Sequence, residues 1–352
     1  MRARVCRLYG QKDLRVEMLD VSPPGPGQVL VALGAGGICG SDLHYWQDGG
    51  FGPIRVREPI ILGHEASGTV EALGDGVNSL KVGDRVSLNP SHPCGACRFC
   101  AEGHPQHCLT MRFMGSALRF PHEQGMFRDH LVVGSEQCHR VGAQTPLGIA
   151  ALAEPLAVCL RAVRRAQEQG GDLAGRRVVV TGAGPIGTLC AALAQHHGAA
   201  EVGVTDVQDA TLAVVKRIGA TDTVNVSRNP GAMQPWLADK GSFDLAFECS
   251  AAPSAIAMAI SAVRPLGTIV QVGVAGEVSV PLNLIVSKEL QLVGTHRFHG
   301  EFAEAVALIE SGVLNLSPMI THSLPVAAAA EALALASDRG RSVKVQLVFG
   351  EG

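Results

Sequence analysis

Two groups of residues in this sequence have types and spacings that could do chemistry with a metal. The first is NPSHPCGACRFCAEGHPQHC, residues 89–108, which holds Cys94, Cys97, Cys100 and Cys108. A C-x2-C-x2-C-x7-C spacing lets one short loop offer several sulfurs to one ion, and Gly95 and Gly103 let that loop curl. A disulfide pair is disfavoured in a reducing compartment, and iron–sulfur clusters use other spacings. Zinc held by four thiolates is the expected occupant. Such a shell has no open position for substrate, so the ion would be structural. His92, His104 and His107 are surplus to it and are expected to face solvent.

The second group joins GGICGSDLHYW, residues 36–46, to ILGHEASGTV, residues 61–70. Cys39, His64 and Glu65 provide a thiolate, an imidazole and a carboxylate, the donor set of an open catalytic zinc site. Ser41 and Asp42 suit a helix start, whose dipole would favour Cys39 as thiolate. The separation of Cys39 from His64 does not fix their distance in space. Spacing alone leaves ligation and ordinary packing level.

A third signal serves a nucleotide. In RRVVVTGAGPIGTLCAALAQHHGAAEVGVTDV, residues 176–207, an apolar strand leads into Gly182, Gly184, Pro185, Ile186 and Gly187. An alanine-rich helix and a second strand follow, ending at Asp206, nineteen residues after Gly187. Strand, G-x-G-x-x-G turn, helix, strand and acid in that order read as a dinucleotide site, with pyrophosphate at the helix N-terminus. Asp206 can accept hydrogen bonds from ribose hydroxyls and would repel a 2′-phosphate, and no Arg or Lys follows it directly. NAD is therefore expected over NADP; the other reading of Asp206 is a helix N-cap.

The elements that must position these groups fall into two textures. The first ~155 residues are short β-like runs with Gly/Pro turns, such as LKVGDRVSLNP; from about Leu156 to His296 strands alternate with helical segments. DTVNVS, FDLAFECS, GTIVQVGV and LQLVGTH extend the parallel pattern, and VKVQLVF near the end reads as a strand returning to the first part. The predicted fold is α/β with units 1–155, 156–296 and a returning segment 297–352. A chain of 352 residues fits two domains. Net charge of -3 and 4% aromatics give no case for nucleic acid or an anionic membrane. The N-terminus lacks the apolar stretch of a secretory signal and no apolar run reaches a membrane span, so a cytoplasmic protein is expected. Cys6, Cys138, Cys159, Cys190 and Cys249 then read as small apolar packing.

With these residues in view, the whole sequence resembles the zinc-dependent medium-chain dehydrogenase family. GHEASG, residues 63–68, matches that family's G-H-E-x-x-G signature, and the cysteine lobe, LKVGDRV and GAGPIG fall in its order. The resemblance implies a GroES-like catalytic domain, a Rossmann coenzyme domain and a cleft between them. It also implies oxidation of a secondary alcohol, with hydride passing to nicotinamide. CGSDLHYW and AEPLAV, residues 153–158, look like the polyol branch, which includes sorbitol dehydrogenases. By that resemblance the zinc set is Cys39, His64, Glu65 and Glu154 with water, either glutamate being the direct ligand. Ser41 and His44 match a proton relay, for which Glu154 is the polyol-branch alternative. The same resemblance implies that Tyr45 is at the substrate pocket and that Gly273 and Val274 are near the nicotinamide carboxamide.

MRFMGSALRFPHEQGMF, residues 111–127, and GTHRFHGEF, residues 294–302, carry a narrower similarity to the bacterial L-idonate 5-dehydrogenase group, which interconverts L-idonate and 5-keto-D-gluconate. A sugar acid calls for a cation, and a planar Arg fork suits a carboxylate. Arg112, Arg119 and Arg297 are the candidates. The rival substrate is a neutral polyol such as sorbitol or xylitol. A non-catalytic nucleotide-binding protein on the same fold is the alternative of another class; such a protein is expected to lack Cys39, His64, Glu65 and Glu154. VSVPLNLIVSKEL, residues 278–290, resembles the segment that joins coenzyme domains across a dimer, so a homodimer or homotetramer is expected.

Overall fold

The computed structural model describes residues 1–274 and 276–350. Near the N-terminus, the strand Gln28–Gly37 anchors a seven-stranded sheet, pairing antiparallel with Glu65–Leu73 on one side and Lys344–Val348 on the other. Val29, Val31, Leu33, Val70 and Leu347 of these strands, with Val86 of the neighbouring strand Arg85–Leu88, pack in one apolar core. The register sets Gly37 opposite Glu65, and a Cβ on Gly37 would fall 2.1 Å from a Glu65 carboxylate oxygen. Glycine there is what lets the Glu65 side chain fold across the neighbouring strand.

The second sheet is six-stranded and wholly parallel. Its spatial order is Asp222–Asn225, Glu201–Asp206, Arg177–Thr181, Phe243–Glu248, Val263–Gln271, Gln291–Gly294. That is the doubly wound Rossmann order, whose order of succession reverses between Arg177–Thr181 and Phe243–Glu248 while every strand stays parallel. Val178, Val180, Phe247 and Val270 are fully buried, as expected of strands covered on both faces. Each such side chain contributes roughly 1.5–3 kcal/mol of burial.

The helix Ala153–Gly170 joins the two sheets. Leu156, Leu160 and Val163 form its buried stripe, which packs on the parallel-sheet unit and on the helices Pro185–His196 and Glu301–Ser311. Its first turn projects Glu154, where the helix dipole favours a carboxylate. The chain after residue 300 returns to the first sheet through Lys344–Val348, with Gln346 opposite Gly37. No helix among the described residues is long and apolar enough to cross a membrane.

Candidate active site and metal centres

The helix Gly40–Asp48 begins directly after Cys39. Asp42, at its third position, accepts the Cys39 N–H at 3.0 Å with one oxygen and the Gly63 N–H at 3.0 Å with the other. One fully buried carboxylate thus ties the helix start to the loop that delivers His64. The outcome is a cluster in which the ligand atoms of Cys39, His64 and Glu65 all lie within 4.8 Å of one another. His64 and Glu65 are buried and Cys39 is half-buried. Burial pushes the His64 pKa down, yet Cys39 and Asp42 outweigh it and hold the imidazole well above its ordinary value.

Glu65 is held from below. Lys344 Nζ donates to its two carboxylate oxygens at 2.9 and 2.7 Å and to the Ile38 carbonyl at 3.1 Å, with both side chains almost fully buried. Among the described residues Glu154 has no such cation within hydrogen-bond reach. Burial pushes its pKa up to about 7, against the pull of His64, Lys344 and Arg297. The two glutamates near one imidazole therefore differ in surroundings: Glu65 is paired with a buried lysine, while burial leaves Glu154 poised to bind or give a proton near neutrality.

Cys94, Cys97, Cys100 and Cys108 form a second cluster, their sulfurs within 4.8 Å of one another. Cys97 and Cys100 sulfurs stand 3.6 Å apart, close to the ~3.8 Å edge of a tetrahedron with ~2.3 Å zinc–sulfur bonds. The Cys94 N–H points at the Cys108 sulfur (3.2 Å) and the Cys97 N–H at the Cys94 sulfur (3.3 Å). The Thr110 hydroxyl, the Ala96 and Cys97 N–H groups and the Cys108 thiol stabilise the Cys94 sulfur as an anion and bring its pKa down to about 6. No pair in the chain is joined as a disulfide among the described residues. The donor set fits zinc.

At the nucleotide turn, Pro185 opens the helix, where its missing N–H is no loss. A Cβ on Gly187 would meet the Gly182 carbonyl at 1.7 Å, so only glycine permits this closure. Asp206 accepts the Ala183 N–H at 2.6 Å and the Val207 and Gln208 N–H groups at 2.7 and 2.9 Å. It is thereby fixed at the strand end beside the turn: Oδ1 accepts two N–H groups, and Oδ2, which accepts one, keeps a lone pair for a further donor.

A model of the alcohol dehydrogenase GroES-like domain matches residues 25–143, and one of the zinc-binding dehydrogenase domain matches residues 185–311. The chain is 38% identical over 350 residues to Escherichia coli L-idonate 5-dehydrogenase (NAD(P)(+)), covering 99% of each protein. The chain belongs to the zinc-dependent medium-chain dehydrogenases. Within them it falls in the polyol branch: it is 35% identical to the sorbitol dehydrogenase of Macaca fascicularis, over 97% of this chain and 94% of that one. The crystal structure of the E. coli L-idonate enzyme superposes with a TM-score of 0.92 over 99% of each chain. That of 2R,3R-butanediol dehydrogenase from Bacillus subtilis, 27% identical, superposes at 0.87 over 99% of this chain and 100% of that one.

In this dehydrogenase the substrate residues expected from sequence are unevenly placed. Tyr45 is buried, and its hydroxyl accepts the Ala117 N–H at 3.2 Å. Arg297 lies 4.4 Å over the Phe113 ring, whose other neighbour is the His64 ring at 5.5 Å, and its charge is felt at Glu154. It holds a left-handed backbone (φ 49°), a conformation that costs an arginine on the order of 1 kcal/mol and is kept by its surroundings. Arg112 does not join it: its guanidinium is exposed and bound to Glu123 at 2.6 and 3.1 Å, so it drops out as a carboxylate anchor. Arg119 donates to the Met111 and Leu109 carbonyls and lines a separate pocket. Ser41 is half-buried on the first turn after Cys39, whereas His44 is exposed and paired with Asp48 at 3.0 Å.

Sequence reasoning missed four residues. Lys344 was signalled only by a lysine inside an apolar strand, VKVQLVF. Asp42 read as a helix starter rather than a brace. Glu248 is fully buried; it accepts the Thr181 hydroxyl, the Ser250 and Ala251 N–H groups and the Gln271 amide, and so knits together three strand ends at the crevice. Gly273, whose N–H reaches the Glu248 carbonyl, is placed by the same knot, and Val274 follows it into solvent. Arg339 reaches the turn as well, 2.9 Å from where a Cβ on Gly184 would stand.

Proposed function

We propose that this enzyme oxidises a secondary alcohol of a sugar acid, L-idonate to 5-keto-D-gluconate, with NAD as acceptor. The observation that carries the reading is the convergence of the half-buried Cys39 sulfur with the buried His64 imidazole and Glu65 carboxylate, with Glu154 and Arg297 close by. The full-length likeness to an L-idonate 5-dehydrogenase supports the substrate. Zinc at this cluster would supply Lewis acidity to a substrate hydroxyl, and the nicotinamide would accept the hydride.

The protein's own groups do the rest. Cys39 and His64, with Glu65 or Glu154, would hold the metal; Lys344 holds the Glu65 carboxylate in place. Glu154 holds and passes the proton at its carboxylate, since burial brings it near neutrality. Ser41 and Tyr45 contact the substrate, and Arg297 offers its guanidinium to hydroxyls or a carboxylate. Gly182, Gly184, Pro185, Ile186 and Gly187 seat the pyrophosphate, Asp206 the adenosine ribose, and Gly273 and Val274 the nicotinamide end. Cys94, Cys97, Cys100 and Cys108 would clamp a structural zinc. The reading divides the chain into a catalytic unit (1–155 and 297–352) and a coenzyme unit (156–296), in a cytoplasmic homodimer or homotetramer. Leu282 and Val286, strongly exposed beside the free sheet edge Gln291–Gly294, support self-association there.

Specificity constants for L-idonate, sorbitol, xylitol and L-threonine, each with NAD and with NADP, test the proposal. L-idonate with NAD is expected to lead. A lead for sorbitol or xylitol would move the enzyme to the second reading, a neutral polyol dehydrogenase, which the likeness to sorbitol dehydrogenase favours.

A further inference from the structure

A cavity of about 170 Å³ lies between the short hairpin Gly50–Arg55 and the loop 117–122. That is room for on the order of five waters, or for one carboxylate or phosphate group. Arg55, Arg57 and Arg119 all line it. Among the described residues the Arg55 side chain donates to the Gly52 and Ile54 carbonyls and that of Arg119 to the Met111 and Leu109 carbonyls. Among the described residues none of the three guanidinium groups is paired with a carboxylate, in contrast to Arg112 on its Glu123. Glu58, the acid next to Arg57, accepts the His122 N–H instead.

The arrangement is braced from beneath. His122 is buried; its Nε2 accepts the Arg57 N–H at 2.8 Å, so Nδ1 carries the proton and donates to the Arg119 carbonyl at 2.6 Å. A neutral imidazole thus fixes the two arginine backbones relative to each other. Three cations around one concavity repel one another and raise the local potential, a state that an anion relieves. The pocket is also tied to the helix Gly40–Asp48, which starts directly after Cys39. Ala117 in its wall donates to the Tyr45 hydroxyl, and the hairpin's Phe51 ring packs 5.0 Å from the His44 ring on the helix that starts at Cys39.

We infer that Arg55, Arg57 and Arg119 form an oxyanion-binding site beside the substrate cleft, across the Tyr45–Ala117 contact. Its ligand is a carboxylate or phosphate group, supplied either by the substrate itself or by a separate anion. The first source rests on the sugar-acid reading above; the second does not. Arg55 and Arg57 are exposed, so replacing both removes charge without emptying the core.

The test uses the zinc-loaded enzyme and its Arg55→Ala/Arg57→Ala variant. One arm compares kcat/KM for L-idonate with that for sorbitol; the other titrates inorganic phosphate calorimetrically without substrate. Loss of charge-assisted contacts to a substrate carboxylate should lower the L-idonate-to-sorbitol ratio about tenfold or more. A lower ratio assigns the site to the substrate, and loss of phosphate binding alone assigns it to a separate anion. An unchanged ratio, with phosphate binding absent from the parent or equal in both proteins, overturns the inference. If the parent does not oxidise L-idonate, the sugar-acid reading fails, and the phosphate arm still decides the site.

Discussion

Lys344→Met should loosen the active site from a distance of 279 residues in sequence. Lys344 Nζ sits at 2.7 and 2.9 Å from the two Glu65 oxygens, with about 2% and 1% of the side chains exposed. At that separation the gross attraction is about 6 kcal/mol with an effective dielectric of 20. Desolvation of both ions offsets most of it, so the net value of the pair is small. Removing one partner is another matter, because Glu65 then stays buried without its cation, at a cost of about 3–5 kcal/mol. For a chain of 352 residues this corresponds to a Tm lower by about 4–7 °C. The assay is a double-mutant cycle with Glu65→Gln, read by thermal unfolding of the zinc-loaded protein. Glu65→Gln should suppress most of the Lys344→Met penalty. Equal penalties in both backgrounds would show that the lysine stabilises the fold without acting through Glu65.

Three further outcomes follow from the same physics. Cys100→Ser should lower bound zinc by about one ion per chain and lower the Tm, with metal analysis and calorimetry as readouts; full zinc content would contradict the four-sulfur clamp. Asp206→Ser should weaken NAD about tenfold or more while leaving NADP less affected, measured by fluorescence titration; equal losses would remove the ribose contact. Glu301 is pushed up by burial, but the His299 N–H, Arg164 and Arg161 outweigh it and hold the carboxylate below its ordinary 4.5. A depressed acid stabilises the fold above its unfolded pKa and loses that contribution as pH falls through the folded value. Stability should therefore decline below about pH 4.5 with a shallower slope in Glu301→Gln; parallel acid limbs would refute the assignment.

What the sequence revealed was whatever is local along the chain. Cys94 to Cys108 are close in sequence because one loop brings four sulfurs together, and Gly182 to Gly187 are spaced by a single turn whose closure tolerates no Cβ at Gly187. Cys39, His64 and Glu65 are less local: their identity was readable, but their convergence depends on Asp42 bridging two loops. Side-chain pairing across the chain was not readable at all. Nothing near residue 65 announces Lys344, and nothing in MRFMGSALRF says that Arg112 will be neutralised by Glu123 while Arg119 is not. Of three arginines proposed for a substrate carboxylate, only Arg297 stands by Glu154, and Arg55 and Arg57 were passed over because an exposed hairpin carries no periodic signal. Glu248 was hidden for another reason, since a buried acid at a strand end looks like a strand terminator until its donors are seen.

The most direct measurement is NADH formation from L-idonate by the zinc-loaded enzyme beside its Cys39→Ser variant, with circular dichroism to confirm equal folding. The parent should turn over, and the variant should lose activity by at least a thousandfold, on the order expected when a metal-assisted step is removed. A folded Cys39→Ser protein that keeps its rate would contradict a catalytic metal at Cys39, His64 and the glutamates.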